Sequence, residues 1–229
     1  MTTDELRTAL EGELAWRTEE ILFFKNQLSN ILRETDRDRY RKSLVLILYS
    51  HLEGYIKMAL LSYIQFLNSL LLKRKEFNDN LIAASMDREF KAYDSNDEKC
   101  AIFRAELPED KKLHKLYRRV HLLQNIQSFK DMNLYIQDDA IDTESNLWYI
   151  VLKKNLYKVG LPVDLFSDCA TDIDALVNRR NSLAHGASRN GVQENEYIKW
   201  EEKTFSIMQE IIIQIYHCAC NEIYLKQEA

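Results

Sequence analysis

From Ser43 to Leu72 the chain reads SLVLILYSHLEGYIKMALLSYIQFLNSLLL, an apolar run interrupted by charge only at His51, Glu53 and Lys57. Its length is that of a membrane-spanning helix, which needs ~20 apolar residues. Those three ionisable groups would sit near the middle of such a span, at a cost on the order of a few kcal/mol each. A central helix in a bundle accounts for the run better. Between Leu44 and Leu52 it is apolar on nearly every side, so other helices must surround it, and no membrane partner is expected. Only 5 Gly and 2 Pro occur among 229 residues, too few to build the turns of a sheet protein. The expectation is therefore an all-α fold, a single domain over 1–229 built on long antiparallel helices.

The first helix is expected from about Thr3 to about Leu32, where Leu6, Leu10, Leu14, Ile21, Phe24, Leu28 and Ile31 recur at helical spacing. The second follows the charged stretch Arg33 to Arg39 and continues to about Lys73. Residues 75–108 lose that regularity and gather charge, and read as an irregular insertion with one short helix. Glu109 to Lys130 forms a third helix and Asp131 to Asp142 an acidic connection. Thr143 to Leu147 reads as a helix start, with Gly160 as its stop. Asp164 is the expected N-cap of a helix running to Gly186, and a last amphipathic helix covers about Glu194 to Leu225.

Several chemistries lack their residues. Gly12, Gly54, Gly160, Gly186 and Gly191 cannot form a glycine-rich phosphate loop, and no Gly-x-Ser-x-Gly or His-Glu-x-x-His pattern occurs. His217-Cys218-Ala219-Cys220 holds soft metal ligands, but neighbours one and two apart on a helix diverge, so no metal or other cofactor is expected. The four cysteines are scattered, and Met1-Thr2-Thr3-Asp4-Glu5 is acidic where a secretory leader would be basic and then apolar. These features place the protein in a reducing cytoplasm. The net charge of −5 argues against a surface coated in positive charge, though not against a local basic cleft.

The helix ending at Gly186 carries the candidate chemistry. At ~100° per residue, Ile173, Leu176, Val177, Leu183 and Ala184 share one side, with Arg180 near its centre and Arg179 pointing away. A guanidinium there must meet a carboxylate, line a polar cleft, or sit at a subunit interface where an anion arrives. Asn181 and His185 share the adjacent flank, and the helix dipole at this C-terminal end favours imidazolium. An arginine, an amide and a titrating histidine are the groups that cut RNA without metal. A base takes the 2′-hydroxyl proton, a cation stabilises the phosphorane, and an acid protonates the leaving 5′-oxygen. On spacing alone, Arg180 could equally be a structural arginine paired to Glu53, with His185 an ordinary helix-end histidine.

Arg180-Asn181-Ser182-Leu183-Ala184-His185-Gly186 resembles the Arg-x4-6-His motif of the HEPN superfamily (higher eukaryotes and prokaryotes nucleotide-binding). Leu48 to Lys57 is similar to the long core helix of stand-alone HEPN proteins from prokaryotic conflict loci, and Asn146-Leu147-Trp148 through Gly160 continues the resemblance in order. The resemblance implies an α-helical bundle, usually dimeric, with two motifs facing each other. It also implies a metal-independent ribonuclease of the toxin or abortive-infection kind, with a cognate antitoxin as partner. A non-catalytic HEPN module that binds nucleotide, RNA or a protein is the competing reading. Some HEPN toxins carry a modifiable tyrosine two residues after the histidine; here that position is Ala187.

Arg180, His185 and Asn181 are thus the candidate catalytic residues. Glu53 is a candidate support, paired either with Lys57 one turn on or with Arg180. Lys111, Lys112, Lys115, Arg118 and Arg119, in a run with no acid from Lys111 to Lys130, are candidate RNA-backbone contacts. The surface around Arg180, with Leu176, Val177, Leu183 and Ala184, is expected to form a two-fold homodimer interface.

Overall fold

The computed structural model describes residues 1–95, 97–187 and 189–227. Among them are eight α-helices: α1 (Thr3–Asn26), α2 (Glu34–Ser69), α3 (Asp79–Ser85), α4 (Asp87–Asp94), α5 (Lys111–Lys130), α6 (Tyr149–Lys158), α7 (Ala170–Ala184) and α8 (Glu194–Cys220). The fold is all-α. At the start of α1 the Thr2 hydroxyl accepts from the Glu5 N–H while the Glu5 carboxylate accepts from the Thr2 N–H, a reciprocal box that satisfies two otherwise orphaned donors.

α2 is the central rod and packs against α1, α7 and α8. Its Leu44, Leu48, Leu52, Tyr55, Ile56, Leu60, Tyr63 and Ile64 are buried, each large apolar side chain contributing roughly 1.5–3 kcal/mol by leaving water. Direction can be read from cross-links. The Tyr40 hydroxyl donates to the Phe24 carbonyl (3.0 Å) and that of Tyr55 to Leu10 (3.2 Å), so α1 and α2 run antiparallel. Lys25 meets Glu201 (2.5 Å) and Tyr216 meets Asp4 (3.3 Å), so α8 is also antiparallel to α1 and therefore parallel to α2. Leu176 and Val177 of α7 and Met208, Ile211 and Ile215 of α8 close the core.

The segment expected to be mostly irregular with one short helix holds two short helices, while its described residues after Asp94 are in no helix up to Pro108. It contains α3 and α4, and Phe77, Leu81, Ile82 and Met86 belong to the core. Its apolar positions are too closely spaced for a period to show in so short a helix, which is why charge dominated the reading. α5 starts at Lys111 rather than Glu109, with Asp110 accepting from the Leu113 N–H as N-cap. α8 stops at Cys220, short of Leu225. Asp164 is not an N-cap: a 3₁₀ turn at Ser167–Cys169 leads into α7, preceded by Phe166 at φ +66°.

The two glycine stops are as expected, and each closes a full Schellman motif. Gly160 (φ +68°) follows α6, with its N–H on the Tyr157 carbonyl and that of Leu161 on Leu156. Gly186 (φ +67°) follows α7, with its N–H on Leu183 and that of Ala187 on Ser182. A left-handed residue is needed at both places, and glycine alone adopts it without steric cost.

Candidate active site

Arg180 is half-buried on α7 where that helix crosses α2. Its guanidinium carbon lies 4.9 Å from the centroid of the Tyr49 ring, within the range of a cation–π contact. Nη1 donates to Asn181 Oδ1 (2.8 Å) and to Asn146 Oδ1 (3.2 Å). Among the described residues Nε and Nη2 have no hydrogen-bond partner. One corner and one face of the guanidinium are therefore fixed, while the Nε–Nη2 edge is open. That edge is the one that binds a phosphate or carboxylate through two parallel N–H bonds.

Asn181 is half-buried and turned toward Arg180 rather than toward His185. His185 is the exposed C-cap of α7: its backbone N–H donates to the Asn181 and Leu183 carbonyls, and its imidazole makes no hydrogen bond among the described residues. The Schellman motif at Gly186 fixes where the backbone leaves the helix, and so holds His185 at the surface next to the arginine's turn.

Glu53 is half-buried one turn after Tyr49. It forms an ion pair neither with Lys57 nor with Arg180, so neither expected pairing is present; its charge bears on the nearby Tyr49 phenol. The Tyr49 hydroxyl accepts from the Leu147 N–H at 2.7 Å. Burial first pushes the Tyr49 phenol up to about 12, with the Leu147 N–H opposing, Glu53 adding, and the Arg180 charge opposing. Tyr49 stays protonated across neutral pH. Sequence reasoning missed Tyr49 and Asn146. The available signal was that Tyr49 precedes Glu53 by four residues and so shares its helix face.

Two expectations about surroundings change. Leu176 and Val177 are buried against the protein's own core and offer no surface to a second subunit; Ala184 to Ala187 remain exposed. On α5, Lys111, Lys112, Lys115 and Arg119 are exposed, but Arg118 is buried, its Nε donating to the Tyr93 carbonyl (2.8 Å) and Nη1 to that of Glu98 (3.1 Å). A guanidinium committed to two carbonyls is withdrawn from the basic face. At the end of α8, Cys218 is buried and Cys220 exposed, the divergence that helix geometry requires.

The chain matches the RiboL-PSP-HEPN family model over residues 13–217, and it belongs to that family. The match spans Tyr49, Glu53, Asn146 and the whole 180–185 motif. HEPN proteins are often ribonucleases, which marks this chain as a nuclease-type or RNA-related module. Comparison with curated proteins and with solved structures found no match.

Proposed function

We propose that the protein is a metal-independent endoribonuclease that cuts RNA by attack of a ribose 2′-hydroxyl on the adjacent phosphate. The observation that carries this reading is the open Nε–Nη2 edge of a guanidinium otherwise held in place. Arg180 binds two phosphate oxygens and stabilises the charge of the phosphorane. His185 at the exposed helix end takes the 2′-hydroxyl proton. A histidine must also protonate the departing 5′-oxygen, and one imidazole cannot be on both sides of an in-line displacement. A second copy of the chain supplies the other, so the functional unit is a homodimer with His185 of each subunit at one site. No cofactor is needed for these steps.

The resemblance to stand-alone HEPN proteins of conflict loci supports a cytoplasmic toxin or abortive-infection effector restrained by an antitoxin protein. The exposed Lys111, Lys112, Lys115 and Arg119 supply phosphate-backbone attraction.

Purified protein incubated with RNA in EDTA should give fragments ending in 2′,3′-cyclic phosphate and beginning with 5′-hydroxyl. His185→Ala should abolish cleavage while leaving the thermal midpoint in place, and should relieve the growth arrest caused by the wild type. Fragments with 5′-phosphate, or equal cleavage by wild type and variant, would sink the assignment.

A further inference from the structure

The segment between α5 and α6 is bent against its own backbone preferences at one place. Glu144 (φ +49°) and Ser145 (φ +67°) are consecutive left-handed residues and neither is glycine. Such a conformation costs energy and persists only where neighbours over-determine it. Here they do. The Glu144 N–H donates to Asp142 Oδ1 (2.8 Å) and its carboxylate meets Lys154 Nζ (2.5 Å). Asn155, almost fully buried, grips Asp142 from both sides, accepting from its N–H (3.2 Å) and donating to its carbonyl (2.9 Å).

The residues delivered by this bend are Asn146 and Leu147. The first places Oδ1 on the Arg180 Nη1, and the second places its N–H on the Tyr49 hydroxyl. One strained turn therefore touches both partners of the Arg180–Tyr49 stack. The Leu147 N–H on the Tyr49 hydroxyl holds the ring against which the guanidinium lies.

We propose that Tyr49 and Asn146 are positioning residues for Arg180, setting the plane and rotation of the guanidinium so that its Nε–Nη2 edge meets the phosphate. The proposal rests on the ribonuclease reading for its kinetic consequences but not for its geometry. A lone charge would tolerate small displacements, whereas a two-point contact to a transition-state phosphate does not; misplacement of ~1 Å can cost about 100-fold in rate.

The test uses the full chain and the variants Tyr49→Phe, Tyr49→Leu and Asn146→Ala, with kcat and KM measured on an RNA oligonucleotide in EDTA. NMR gives the ring-current shift on the Arg180 Nε–H proton. Tyr49→Leu and Asn146→Ala should lower kcat about 100-fold with KM changed less than about threefold, because the loss falls on transition-state geometry. Tyr49→Phe keeps the ring and should lose only about threefold, the scale of one modest hydrogen bond. The ring-current shift should persist in Tyr49→Phe and vanish in Tyr49→Leu. Should Tyr49→Leu fail to fold, Asn146→Ala on the half-buried loop carries the kinetic test. Equal losses in Phe and Leu variants, or a wild-type kcat in Asn146→Ala, overturn the proposal. If the wild type cuts no RNA, the ribonuclease reading fails separately, and the Nε–H shift still decides: an ordinary shift in the wild type overturns the positioning role.

Discussion

α2 and α5 are both long helices, yet what they bury is opposite in kind. α2 buries leucines, isoleucines and tyrosines along most of its length, whereas the buried residues of α5 are His114 and Arg118. On α5 the apolar Leu116, Val120 and Leu123 face solvent, Leu123 being 73% exposed. The two buried polar side chains instead tie down the loop before them. His114 Nδ1 accepts from the Cys100 N–H and its Nε2 is 3.0 Å from the Leu107 carbonyl, while Arg118 holds the Tyr93 and Glu98 carbonyls. The first pattern stabilises by removing apolar surface from water. The second stabilises by supplying hydrogen-bond partners to backbone that would otherwise be unpaired. The lesson is that a helical stripe shows where a helix could pack, but not what chemistry the packing uses.

The comparison breaks most visibly under truncation to alanine. Leu48→Ala on α2, at a fully buried position, should lower the urea unfolding free energy by roughly 2–5 kcal/mol, the transfer loss plus the cavity left behind. Leu116→Ala on α5, at a position 55% exposed, should stay within about 0.5 kcal/mol of the wild type. Comparable losses at the two positions would mean that α5 is covered in solution and that the contrast is not real.

The same contrast explains what the sequence made legible. The central helix, the flanking amphipathic helices and both glycine stops were readable because apolar period and left-handed glycine each have one physical meaning. Arg180, Asn181 and His185 were readable as a motif, and family membership supports it. Tyr49 and Asn146 were not, because the 144–145 bend that brings Asn146 to Arg180 carries no glycine to announce it; the segment read as a helix start, and α6 begins only at Tyr149. The core packing of Phe77, Leu81, Ile82 and Met86 was not legible, because it depends on contact with distant helices. Arg118 reads as part of an RNA surface because charge shows in a sequence and carbonyl partners do not.

A smaller effect is expected where the insertion's polar clamp is cut. Arg118→Ala leaves the Tyr93 and Glu98 carbonyls without their donor, at a cost of roughly 1–3 kcal/mol. Since α5 packs chiefly against α4 and the Arg74–Glu76 turn, the loss should be local. Hydrogen exchange should accelerate across 93–118 while amides in the middle of α2 keep their protection. Arg118→Lys should not rescue it, because one ammonium lacks the two-armed fork that reaches both carbonyls. Uniform acceleration through α2 would show that the two regions unfold as one unit.

The smallest effect sharpens the comparison where α2, like α5, buries an imidazole. His51 faces α1, with Nε2 3.2 Å from Glu20 Oε2, an edge contact to Trp16, and a buried Nδ1 that lacks a hydrogen-bond partner among the described residues. His114, by contrast, has both ring nitrogens engaged. Burial holds the His51 imidazole below its ordinary value of 6.5; the Glu20 charge opposes this and the Arg17 charge adds to it. A base whose folded value is depressed binds fewer protons folded than unfolded below that ordinary value, so stability rises with pH through the window and is flat above it. His51 therefore contributes nothing adverse above pH 6.5, and its stabilisation drains away as pH falls from there toward the depressed folded value. Urea midpoints measured at half-unit steps on either side of that pH should fall on acidification more steeply for the wild type than for His51→Gln, which cannot titrate. Glu20→Gln should steepen the fall, because removing the opposing charge depresses the folded value further. Parallel pH profiles for wild type and His51→Gln would show that the orphaned ring is hydrated in solution, and that α2 buries apolar side chains at this position no more strictly than α5 does.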